Sequence, residues 1–118
     1  MQVELNQNNH REPLVERQRL LERCMGKQEL ADRLVGILVS GLPKDSVEIQ
    51  NALETGDLPR VAAVSHRLKG AAANMCAPSL SSAAAALENA ARTSDLERVP
   101  DSWFVLQQQI DLVLEELR

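Results

Sequence analysis

Apolar residues recur along the chain at three- and four-residue steps, the period of helices that bury one side. Leu14, Leu21 and Met25 mark a short helix after Pro13, and Gly26 is its expected stop. Glycine accepts the left-handed backbone that ends many helices. A second helix is expected from about Lys27, with Leu30, Leu34, Ile37 and Leu38 as its stripe. Gly41 and Pro43 interrupt that stripe, and Val47, Ile49 and Leu53 resume it up to Thr55 and Gly56. Proline removes a backbone donor and crowds the preceding turn. One kinked helix to about Thr55 is therefore expected, with two separate helices as the alternative.

Asp57 is placed to cap a third helix, because its carboxylate can accept from orphan backbone amides. That helix runs from Leu58 to Met75 or Cys76, with Pro59 in its first turn. Pro78 and Ser79 open a fourth, carrying Leu80, Ala84, Leu87 and Ala91. The small residues Ala83 to Ala86 suit a face that lets neighbours pack closely. After the polar stretch Thr93 to Glu97, Pro100 and Asp101 open the last helix. Its Trp103, Leu106, Ile110, Val113 and Leu117 form a coiled-coil-like seam. Short connections make consecutive helices antiparallel. The predicted fold is all-α, an up-and-down antiparallel four-helix bundle with an additional short N-terminal helix. Residues 1–11 read as a flexible leader and 12–118 as one domain.

Composition agrees with this picture. Of 118 residues, 44% are apolar, enough for one modest core. Trp103 and Phe104 are the only aromatic residues, whereas strands favour aromatic and β-branched side chains. The formal net charge of −4, with no run of Lys or Arg, argues against a nucleic-acid binder. No apolar run is long enough to span a membrane, and the polar N-terminal residues are unlike a signal peptide. A cytoplasmic protein is expected. Cys24 and Cys76 lack the spacing of a zinc site and read as reduced, half-buried side chains. His10 in the polar leader reads as idle.

The third helix divides its faces unusually. Val61, Val64, Leu68 and Met75 fall in one sector, and His66 lies about 180° from its centre. His66 should therefore point outward. Its neighbours at three, four and seven residues are Pro59, Ala62, Ala63, Lys69, Gly70 and Ala73, and such neighbours share a surface. Apart from Lys69 they are small or compact, so another macromolecule can come close to the imidazole. Gly70 inside a helix costs about 1 kcal/mol relative to Ala. Close approach by a partner would offset that cost, and so would close helix packing. Imidazole is a nucleophile, and its reference pKa of about 6.5 leaves much of it neutral at physiological pH. Lys69, one turn away, would place an ammonium beside a phosphoryl group on it. Face geometry alone also fits a solvated, idle histidine.

The segment Ser65-His66-Arg67-Leu68-Lys69-Gly70-Ala71-Ala72-Ala73-Asn74-Met75 resembles the signature of histidine-containing phosphotransfer domains. That signature is His, a variable residue, an apolar residue, Lys and Gly, then small residues. The frame is similar too, with Ala52-Leu53-Glu54-Thr55-Gly56-Asp57 before the His helix and Leu80 to Glu88 after it. The resemblance covers residues 25–92 well and the last helix loosely. It implies that His66 is phosphorylated, that Lys69 assists at the phosphoryl oxygens, and that Gly70 leaves room for a receiver domain. Ala62, Ala63, Arg67, Gly70 and Ala73 would form the docking face. The implied partners are response-regulator receiver domains and a hybrid sensor histidine kinase. The chain itself would need no cofactor, with Mg²⁺ belonging to the receiver; its core reads as complete for a monomer.

Two departures from the family stand out. Cys76 occupies a place where the family often has Gly, and Arg67 follows the His where smaller residues are common. Arg67 either tunes partner choice or is simply solvated. Glu88 either orients the imidazole through its second nitrogen or is an ordinary surface glutamate. The expected function is that of a phosphorelay intermediate, taking a phosphoryl group from a receiver aspartate or a kinase system and passing it to another receiver. No Gly-rich phosphate loop or kinase-type ATP motif is present, so independent kinase activity is not expected. The alternatives are an adaptor that binds receivers or kinases without chemistry, and a metal-binding or enzymatic bundle. The latter would use inward carboxylates and a Glu-x-x-His pattern, which the chain lacks.

Overall fold

A computed structural model describes residues 13–118, so the expected leader and His10 lie outside the described residues. The described residues form five helices: α1 (Arg17–Arg23), α2 (Gln28–Glu54), α3 (Leu58–Asn74), α4 (Pro78–Arg92) and α5 (Arg98–Leu117). Helix α3 packs between α2 and α4, and α5 closes the ring against α4 and α2. The up-and-down bundle with a short preceding helix is thus the observed architecture. No helix among the described residues is long and apolar enough to cross a membrane.

The elements end by local chemistry. Asp57 caps α3 by accepting from the Arg60 amide at 3.1 Å, and Pro59 sits in the first turn. Helices α1 to α4 each stop in a left-handed residue: Met25 followed by Gly26, then Gly56, Cys76 and Ser94. At each end a backbone amide reaches back five residues, as in Ala77 N to Ala72 O at 2.9 Å. This satisfies carbonyls the helix leaves open. Cys76, with φ +58°, therefore makes the same turn that Gly would make, at a backbone cost of roughly 1–2 kcal/mol. Its buried side chain and its carbonyl, which accepts from the Glu16 amide at 2.8 Å, help fix the turn.

The seams of α3, α4 and α5 fall where the periodicity puts them. Val61, Val64, Leu68, Leu80, Ala84, Leu87, Leu106 and Val113 are at most 1% exposed. Each fully buried Leu or Val contributes about 1.5–3 kcal/mol. Trp103 is buried and donates its indole N–H to Gln50 Oε1 at 3.0 Å.

Helix α2 runs unbroken through Pro43, as one helix and not the alternative two. Pro43 is on the exposed side, where water can reach the carbonyl it leaves unpaired. The predicted α2 stripe needs correction. Leu38, Leu42 and Ile49 are buried and Leu34 and Leu53 partly so, but Leu30, Ile37 and Val47 are exposed. At 27 residues α2 outruns its neighbours, so part of its apolar surface has nothing to pack on. Helix α1 is also shifted from its expected start. The Glu116 carboxylate accepts from the Leu14 and Val15 amides at 2.9 and 3.0 Å and holds a bend there. The helix begins only at Arg17, and Leu20 and Cys24, not Met25, point inward. Both cysteines are buried and free rather than half-buried. Helix α5 starts two residues before Pro100, because Asp95 accepts from the Arg98 amide through both its side chain and its carbonyl.

Candidate functional site

Helical phase carries His66 to the outer face of α3, where its side chain is 61% exposed. Ser65 and Leu68, on either side of it in sequence, are buried beneath it. One hydrogen bond orients the ring. Its Nδ1 lies 2.9 Å from Glu88 Oε2 on α4.

Glu88 is only 7% exposed, and four polar contacts converge on its two oxygens. Lys69 Nζ meets Oε1 at 2.9 Å. Arg92 meets Oε2 through Nε at 2.9 Å and through Nη2 at 2.8 Å, and His66 Nδ1 shares that oxygen. Burial pushes the Glu88 carboxyl up, but the hydrogen bonds from Lys69, Arg92 and His66 outweigh it and bring the group down to about 2. Glu88 is therefore ionised near neutral pH and can only accept. It follows that Nδ1 of neutral His66 carries the proton and Nε2 carries the lone pair. No hydrogen bond occupies Nε2 among the described residues. The arrangement presents a nucleophilic nitrogen at the surface, with Lys69 one turn along α3 and Arg92 on α4 both resting on the same carboxylate.

Of the two readings of Glu88, the contact with Nδ1 fits the one that orients the imidazole, and the ordinary surface glutamate does not hold. The signal was available, since Leu80, Ala84 and Glu88 follow one another at four-residue steps on the inward stripe of α4. Arg92, one further step along, was not singled out at all. Glu–Arg at that spacing is a favourable helical pair.

The remaining residues of the expected face divide. Ala63, Gly70 and Ala73 are exposed beside His66. Ala62 is buried and backs the face, lining a groove with Pro59, Ala63 and Arg92. A Cβ added at Gly70 would meet nothing within 4 Å, so close helix packing does not explain this glycine. Arg67 turns away from His66 to α2, reaching Asp45 Oδ1 at 2.7 Å and Glu48 Oε1 at 2.9 Å. Arg60 also pairs with Glu48, and the hydrogen bonds from Arg67 and Arg60 lower the Glu48 carboxyl from its ordinary range. Among the described residues no group of three His, Cys, Asp or Glu side chains gathers as metal ligands would.

The family model of the Hpt domain matches residues 33–118. The chain belongs to the Hpt domain family. It is accordingly a phosphotransfer protein of two-component phosphorelays. The fold agrees with the crystal structure of histidine-containing phosphotransfer protein B (HptB) from Pseudomonas aeruginosa PAO1. That likeness has a TM-score of 0.82 at 21% identity and covers 91% of this chain and 93% of the other. Comparison with curated proteins finds no match. Helix α1 precedes the residues matched to the Hpt model, whereas the site helices α3 and α4 lie wholly within them.

Proposed function

We propose that His66 Nε2 is the phosphoryl carrier, charged by a receiver-domain aspartyl phosphate or a hybrid kinase system and discharged to another receiver aspartate. The observation that carries this reading is the buried Glu88 carboxylate holding Nδ1, which leaves Nε2 with its lone pair on an exposed face. In transfer, Nε2 attacks phosphorus, the N–P bond forms, and the bond to the aspartate oxygen breaks to leave a carboxylate. Lys69 and Arg92 both rest on Glu88. Either can swing toward the incoming phosphoryl oxygens, where positioning and charge do most of the work. The metal for this chemistry comes from the receiver, and the chain acts as a monomer in the cytoplasm.

Ala63, Gly70 and Ala73 form the floor on which the receiver sits, and Gly70 is the position where its surface comes closest. Arg67 takes part only by leaving Asp45 and Glu48. The test is to incubate the chain with a phosphorylated receiver and follow the label. Label should pass to the wild type and not to His66→Gln. Receiver binding without transfer in both proteins would instead identify an adaptor.

A further inference from the structure

Phosphorylation at Nε2 makes the second ring nitrogen decisive. While Nδ1 keeps its proton, the modified ring is a phosphoimidazolium. Breaking the N–P bond then returns the electron pair to Nε2 and leaves a neutral imidazole. Once Nδ1 loses its proton to solvent, the same cleavage would have to expel an imidazolate, a far poorer leaving group. The Nδ1 proton thus sets how readily the phosphoryl group can move on.

In this chain Nδ1 faces a buried carboxylate oxygen at 2.9 Å. We propose that Glu88 is a positioning residue that retains the Nδ1 proton on phosphorylated His66 and so keeps the phosphoryl group transferable. This rests on His66 as the carrier. A negative charge in contact with the ring favours its cationic form, an effect of about 1–3 pH units for close opposite charges.

The surrounding charges give the inference its sign. From α4, Arg92 shares Oε2 with the ring and opposes a second positive charge there. On α3, Lys69 sits on the other oxygen and is the cation best placed to turn toward a phosphoryl group. On α2, Asp45 is engaged by Arg67 and Glu48 by Arg67 and Arg60, so two guanidiniums largely compensate their charge before it reaches the ring. Removing Glu88 and removing Arg92 should therefore move the phosphoimidazolium in opposite directions. Neutralising Glu88 loosens the proton, and neutralising Arg92 leaves the carboxylate less compensated and tightens it.

The experiment loads the purified full chain with phosphoramidate and titrates phosphorylated His66 by ¹⁵N and ³¹P NMR through the neutral and alkaline range. The resonance is assigned by its absence from His66→Gln. Glu88→Gln should lower the midpoint by about 1–3 pH units, and Arg92→Gln should raise it. Return of the phosphoryl group to an unphosphorylated receiver should weaken in Glu88→Gln at correspondingly lower pH. Equal midpoints in wild type and Glu88→Gln, or shifts of the two variants in the same direction, would overturn the inference. Arg92 is exposed, so Arg92→Gln tests the sign even where Glu88→Gln fails to fold. Opposite NMR shifts in a chain that no receiver will load would uphold the role of Glu88 and sink the carrier reading instead.

Discussion

The proposed docking face can be tested at Gly70, where the needs of the fold and of a partner would differ. This glycine lies inside α3, four residues after His66, with a backbone that is not left-handed. A methyl group placed there meets nothing within 4 Å. Helical Gly is worse than Ala by about 0.8–1 kcal/mol, chiefly through backbone entropy. Gly70→Ala should therefore stabilise the isolated chain by about 0.5–1 kcal/mol and raise Tm by about 2–6 °C. Gly70→Gln, with helix propensity close to that of Ala, should also be at least as stable as wild type. On the proposed docking over Gly70 both should transfer more slowly, because the added atoms would stand where the receiver closes on His66. Overpacking a fitted contact costs about 1–3 kcal/mol, so Gly70→Gln should slow receiver transfer about tenfold or more. Stability is read from circular dichroism melts and from the fluorescence of the single tryptophan, Trp103. Transfer is read by rapid-quench labelling from a phosphorylated receiver. A destabilised Gly70→Ala, or a Gly70→Gln that transfers at the wild-type rate, would refute the reasoning.

Other substitutions probe the core and the charges. Leu68→Ala, at a fully buried position beneath the His66 face, should cost about 2–5 kcal/mol in urea unfolding. Glu88 is depressed from its ordinary 4.5 to about 2, so its contribution to stability is complete above 4.5 and is lost as pH falls toward 2. The stability advantage of wild type over Glu88→Gln should shrink through that window in acid-unfolding curves. Arg67→Gln breaks two ion pairs that involve an exposed guanidinium, and equilibrium unfolding should change by less than about 1 kcal/mol.

The later helices were largely legible because each packs on neighbours of similar length. Their single apolar stripes, as at Val61, Val64 and Leu68, must then face inward. Helix α2 was less so. Leu30, Ile37 and Val47 continue a helical period but stay exposed, and periodicity gives phase without saying which stripe a shorter neighbour can reach. The start of α1 depends on Glu116, about a hundred residues away, and no local pattern carries that contact. At the site, His66 and Gly70 could be read from phase and from family resemblance. Lys69 was read as an ammonium waiting for phosphate, whereas its resting partner is Glu88. Glu88 was left between two readings, orienting the imidazole or lying on the surface, although its four-residue step from Ala84 pointed inward.

The most direct measurement asks which atom bears the phosphoryl group after transfer from a receiver. Heteronuclear NMR of the ¹⁵N-labelled chain should show phosphorus coupled to Nε2 of His66 and the proton retained on Nδ1 facing Glu88. Phosphorus on Nδ1, or on any residue other than His66, would contradict the account.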